Sequence, residues 1–262
     1  MAFGLPKSEL TYADYLKIPE LISLQKLFSD PPKHDEMLFI IIHQIYELWF
    51  KLILHELDGA VERLDQDKID DAVRYLRRSI EIERILIGQI DVLETMRPID
   101  FLEFRDHLMP ASGLQSVQFR EIEFLCGIKN RDVLKRYDSS SADFRRLSKR
   151  LEEPTLGDAF YRLLSRRGLK VSNKDETLQS LKLMYDDPAR YSDLMLVEEA
   201  LIEFDELFTR WRLIHVKMVE RMIGSKFGTG GTEGVGYLKG TLDRSFFPEL
   251  WEVRSLLGTR IR

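Results

Sequence analysis

Asp35-Glu36-Met37-Leu38-Phe39-Ile40-Ile41-Ile42-His43-Gln44-Ile45-Tyr46-Glu47-Leu48-Trp49-Phe50-Lys51-Leu52-Ile53 contains neither glycine nor proline. Within it Phe39, Ile42, His43, Tyr46, Trp49, Phe50 and Ile53 recur at spacings of three and four, the period of a helix and not the alternation of a strand. The pattern predicts a long, heavily buried helix from Asp35 to about Leu57. Its start is set by Ser29-Asp30-Pro31-Pro32, because two prolines cannot continue a helix, and by the acidic pair Asp35 and Glu36 in the first turn.

Beyond it, a second helical pattern runs from about Asp67 to Leu93 through Ala72, Tyr75, Leu76, Ile80, Ile87, Ile90 and Leu93. Glu83 is a charged break in that stripe, and the pattern ends before Pro98. Two long helices joined by a short polar break are expected to pack antiparallel. A third long pattern, from Pro188 to Gly224, puts Phe204, Phe208, Trp211, His215, Met218 and Met222 on one face, with Gly224 placed to end it. Shorter helices are predicted near Phe101 to Leu108, Leu114 to Gly127, Ala142 to Glu152 and Thr155 to Arg166. No sustained alternation, fixed repeat or low-complexity linker is present, so the reading is one all-α domain over 1–262: a helical bundle with long antiparallel helices enclosing a pocket.

Composition narrows the function. Apolar residues make up 44% of the 262, ample for a sizeable core, and the formal net charge is −5. That balance excludes electrostatic attraction to nucleic acid or to an anionic membrane as the organising principle. The only cysteine, Cys126, cannot form an intrachain disulfide, and no leader-like segment opens the chain, so the expected compartment is the cytoplasm. The longest purely apolar run, Met37 to Ile42, is far short of the roughly 20 residues of a spanning helix.

The five histidines are His34, His43, His55, His107 and His215, and no two sit at the i, i+3 or i, i+4 spacing with which one helix grips a metal twice. His43 and His215 differ from the rest in lying on the apolar faces of aromatic-rich helices. Spacing alone leaves two readings: core imidazoles bonded to carbonyls, or one axial ligand of a haem iron with one distal polar group, walled by Phe39, Phe50, Phe204, Phe208, Trp211, Met218 and Met222. Cys126, at a predicted helix end, reads as a small buried hydrophobe. Arg105 lies among Phe101, Leu102, Phe104 and Leu108, where a guanidinium seeks a planar anion; Asp106 is the structural partner and a substrate carboxylate the functional one. Gly228-Thr229-Gly230-Gly231-Thr232-Glu233-Gly234-Val235-Gly236 follows no strand and lacks the lysine of a phosphate-binding loop. It reads as a lid, at 225–237, or as a tight connection.

These residues resemble those of the tryptophan 2,3-dioxygenase family. The matching stretches are His34 to Gln44, Glu47-Leu48-Trp49-Phe50-Lys51, Phe104-Arg105-Asp106, Pro110-Ala111-Ser112-Gly113, Gln115-Ser116 and Phe119-Arg120. Trp211-Arg212 leading to His215, the glycine loop and Phe246-Phe247-Pro248-Glu249-Leu250 complete the set, in order and over nearly the whole chain. The resemblance implies an all-helical homotetramer with one haem b per subunit that uses O2 to open the indole ring of L-tryptophan, giving N-formyl-L-kynurenine. His215 matches the proximal iron ligand, His43 the distal histidine near the indole N–H, and Phe39 the aromatic on the substrate ring. Arg105 matches the carboxylate-binding arginine, with Thr229 closing on the substrate's carboxylate and ammonium. Ser112 and Gly113 match the segment lining the distal haem side, and Trp211 belongs to the haem-binding wall. Residues 1–30 match an arm that reaches a neighbouring subunit and inserts Tyr12 and Tyr15. Phe101 stands where some members carry tyrosine, and Leu114 where phenylalanine is usual. A haem monooxygenase acting on an indole, and a haem-binding sensor, are the competing readings.

Overall fold

The computed structural model describes residues 10–224, 226, 228 and 235–258, and among them every regular element is helical. An N-terminal arm carries two short helices, α1 (Tyr12–Leu16) and α2 (Ile18–Leu21), followed by α3 (His34–Asp65) and α4 (Ile69–Leu93). The tandem Pro31-Pro32 precedes α3, as expected, and Asp35 and Glu36 occupy its first turn. Arg97 is extended and Pro98 stands at the first position of α5 (Pro98–Arg105), which tightens into a 3₁₀ turn, Asp106–Leu108. The expected helix from Leu114 to Gly127 is divided, and two serines divide it. Ser112 forms a capping box with Gln115 around the 3₁₀ turn Gly113–Gln115, and Ser116 accepts the Phe119 N–H to start α6 (Val117–Leu125) afresh.

Ser141 caps α7 (Ala142–Glu152) and Thr155, with Asp158, caps α8 (Leu156–Arg166). A helix absent from the sequence reading follows: α9 (Lys174–Asp186), capped by Asn173 and burying Leu178, Leu181 and Met184. It ends just ahead of the expected start of the last long helix, so α10 (Ser192–Ile223) begins four residues later than Pro188. Gly224 stops α10 with φ +59°, a conformation side chains resist. Two short helices, α11 (Val235–Lys239) and α12 (Pro248–Glu252), complete the chain.

The core is organised on α4. Tyr46 bonds the Leu86 carbonyl at 2.8 Å and Arg78 pairs with Glu56 at 2.7 Å, so α3 runs antiparallel to α4, as the short break between them requires. Arg84 pairs with Glu203, and Arg221 with Glu94 at 2.7 Å, so α10 runs parallel to α4. Both long helices pack extensively on α4 and hardly on each other, while α6 and α8 cover α3. Ile53, Leu57, Leu64, Leu76, Phe204 and Phe208 are sealed from water, each contributing about 1.5–3 kcal/mol of burial. α3 is the one described helix long and apolar enough to cross a membrane, an 18-residue window of it having a mean hydropathy of 1.6. It packs on α4, α6 and α8, and it carries Glu36, His43, Glu47, Lys51, His55 and Glu56.

Candidate active site

Because α3 and α10 are braced by α4 and not by each other, a cavity of about 310 Å³ opens between them. The structure brings Phe39, His43, Phe101, Arg105, Ser112, Gly113, Trp211 and His215 to its wall, eight residues singled out from sequence on four separate segments. Thr229 and the other residues of the glycine loop that would form a lid lie outside the described residues, apart from Gly228 and the α11 turn. That turn is helical from Val235, which is buried, and it presents Tyr237 and Leu238 to the cavity. Tyr12 and Tyr15 are exposed on α1 and do not border this chain's cavity. Nor do His34, His55 and His107, which stand apart from it.

The two histidines face the cavity from opposite helices, close enough for His43 to depress the basicity of His215. His43 Nδ1 lies 2.6 Å from the Phe39 carbonyl, and since a carbonyl only accepts, Nδ1 carries the proton and Nε2 is left as an acceptor. Burial holds its pKa below the ordinary value, so the ring is neutral at pH 7. His215 has no hydrogen-bond partner on either ring nitrogen among the described residues; its contact is a parallel stack on Trp211, with centroids 5.1 Å apart at 5°. Burial, reinforced by His43, drives its pKa to about 4. Of the two sequence-level alternatives, the carbonyl-bound core imidazole therefore does not hold at His215. A neutral imidazole in a largely apolar cavity, stacked on an indole and hydrogen-bonded to no described residue, is the kind of donor that haem iron takes.

The walls suit such a group. Ile90, Leu93 and Met96 from α4 and its C-terminal turn, and Val216, Met218, Val219 and Met222 from α10, are apolar. The α4 residues carried no cavity role in the sequence reading, because α4 shows only a stripe like any core helix. Phe39 packs on His43 with centroids at 4.0 Å and on Phe101 at 5.7 Å, forming an aromatic shelf beside the His43 imidazole. Arg105, on the last turn of α5, reaches the same end; its Asp106 pair is long, 3.8 Å, and that carboxylate is mostly in solvent. Under His215, α10 is fixed by buried charges. Glu123 accepts from Arg212 at 3.2 Å, and Arg212 also donates to the Arg244 carbonyl at 2.9 Å. Asp205 accepts from the Phe246 and Phe247 N–H groups and from Trp251 Nε1 at 2.8 Å, which explains the Phe246-Phe247-Pro248 motif as the clamp on α10. Cys126 is buried with its thiol pushed up, an inert core residue as expected.

Comparison with known proteins decides the affiliation. The family model described as tryptophan 2,3-dioxygenase matches residues 4–176 and 158–257. The chain belongs to the tryptophan 2,3-dioxygenase family. Among relatives of that name, one from a Nocardioides species is 48% identical over 262 residues, covering 98% of each chain. Another, from Herpetosiphon aurantiacus, is 44% identical over 256 residues, covering 94% of this chain and 98% of the relative. One from Bacillus thuringiensis subsp. konkukian is 42% identical over 264 residues, covering 96% and 94% respectively. Family membership therefore spans both helices of the cavity and the segments between them.

Proposed function

We propose that the protein is a haem-dependent dioxygenase that adds both atoms of O2 across the indole C2–C3 bond of L-tryptophan, giving N-formyl-L-kynurenine. The observation that carries this reading is the unclaimed imidazole of His215 facing His43 across an apolar cavity. His215 would hold the iron of haem b, and the bound haem supplies the O2-activating centre. Both oxygen atoms end in the product, so turnover needs no external reductant.

The chain's own residues position the substrate. Arg105 takes the carboxylate with its fork, and Phe39 and Phe101 cover the indole ring. His43 Nε2 accepts from the indole N–H, in the tautomer that the Phe39 carbonyl fixes. It orients that proton and does not remove it, because an indole N–H is far too weak an acid for easy transfer to imidazole. Thr229, through the glycine loop, closes on the carboxylate and ammonium. Holding two reactants in reacting geometry contributes about 7–11 kcal/mol, more than any other effect open to the protein here. The working form is a cytoplasmic homotetramer in which Tyr12 and Tyr15, exposed on the arm, enter a neighbour's cavity. Turnover of L-tryptophan under ¹⁸O2, read by mass spectrometry, tests the reaction: a product carrying two labels is expected, and one label defeats the dioxygenase reading in favour of a monooxygenase.

A further inference from the structure

The α6 wall of the cavity carries an arginine that the catalytic reading leaves unused. Arg120 is 3% exposed and borders the cavity together with Glu123, Arg212, Tyr237 and Thr241. Its Nη1 donates to Glu123 Oε2 at 2.6 Å, its guanidinium lies 5.3 Å over the Phe119 ring, and its Nε, sealed from solvent, has no partner among the described residues. Glu123 cannot satisfy Arg120 alone, since its other oxygen accepts from Arg212, whose own Nε is also unmatched. Asp205 is engaged by the Phe246 clamp and Glu47 by Gln118 at 2.8 Å, while Glu83, unmatched among the described residues, acts electrostatically on Arg212. A buried guanidinium with an unmade N–H is costly, and a planar carboxylate is its natural complement.

Position along α3 says which carboxylate. The α5 wall with Arg105 meets α3 at Phe39, through Phe101 and Phe104, whereas the α6 wall meets it at Glu47 and Phe50, through Gln118 and Phe119. Those points are about eight to eleven residues apart, roughly 12–16 Å of helix, with His43 between them. An amino acid held by Arg105 beside His43 would not span that distance, whereas Arg120 lines the same cavity as His215, where a porphyrin held on that imidazole would bring its propionates. We infer that Arg120 anchors a propionate carboxylate of the cofactor, with Glu123 and Arg212 holding its guanidinium in place, an assignment that rests on the haem reading above.

The test uses the full chain loaded with iron protoporphyrin IX or with its dimethyl ester, in which both carboxylates are masked. Release of each porphyrin into excess apomyoglobin is followed optically for the wild type and for Arg120→Gln. The wild type is expected to release the diester at least about tenfold faster than haem, and Arg120→Gln to release haem at least about tenfold faster while leaving diester release unchanged. Equal release of the two porphyrins by the wild type, or equal acceleration of both by the substitution, overturns the inference. Should circular dichroism show Arg120→Gln unfolded, Arg120→Lys, which keeps the charge without the fork, carries the same comparison. A wild type that takes up neither porphyrin overturns the haem reading itself, a distinct outcome.

Discussion

His43 and His215 look interchangeable in the sequence, each a lone imidazole on the apolar stripe of a 32-residue helix rich in aromatic residues. Their hydrogen bonds separate them. His43 commits its Nδ1 proton to the Phe39 carbonyl, so its geometry is settled before any ligand arrives. Among the described residues His215 has no hydrogen-bond partner and stacks on Trp211, with the Arg212–Glu123 and Asp205–Phe246 contacts fixing the helix beneath. In the proposed reading, equal burial thus yields opposite roles: the committed imidazole would offer an acceptor to substrate, and the uncommitted one a lone pair to metal.

Removing the uncommitted imidazole is the severest challenge to this contrast. His215→Ala is expected to lose stoichiometric haem uptake and to lower turnover by at least a thousandfold, about 4 kcal/mol, with free imidazole restoring part of the optical spectrum. If the variant keeps a histidine-type spectrum, another group is the ligand. Arg105→Leu comes next: haem uptake should be unchanged while kcat/KM for L-tryptophan falls roughly 10- to 100-fold, chiefly through KM, in steady-state assays of formylkynurenine absorbance. For His43→Ala the expected loss is smaller, about tenfold in kcat, with normal haem binding, because one orienting hydrogen bond is removed and the iron ligand is not. A loss of haem in that variant would erase the distinction between the two helices.

Glu83 extends the contrast in a third direction, with the least effect on turnover. Its carboxyl oxygens also lack hydrogen-bond partners among the described residues, but it does not border the cavity; burial pushes its pKa to about 8, so it is mostly neutral at pH 7. Its folded pKa stands above the unfolded value, so folding favours the protonated form and stability falls as pH rises from about 4.5 to about 8. Glu83→Gln should remove that slope and gain stability near pH 8, by on the order of a few kcal/mol in denaturant titrations across that window. An unchanged slope would mean that the carboxyl has found a partner.

The same contrast marks how far the sequence could be read. Helical periods at Phe39 to Ile53 and Phe204 to Met222 were legible because burial on one face leaves a three-and-four spacing. α9 went unseen because its apolar set, Leu178, Leu181 and Met184, is thin amid charged residues, although Asn173 with Asp175 and Glu176 was a usable start signal. The unbroken helix from Leu114 was wrong because Ser112 and Ser116 compete for backbone N–H groups, and that chemistry was visible in the residues themselves. The histidines and Arg105 stood out as polar groups in apolar company. Arg120 stood out only within the matching Phe119-Arg120 stretch and Glu123 not at all, since an Arg/Glu pair three residues apart suits a solvated helix face until α10 brings Arg212 against it.

Diffraction from crystals of the haem-loaded chain, with data at the iron absorption edge, puts the assignment of His215 to its plainest trial. An anomalous peak is expected between α3 and α10, bonded to a ring nitrogen of His215, with His43 on the opposite face. Iron bound to any other residue, or a His215 ring turned onto a main-chain carbonyl, would contradict it.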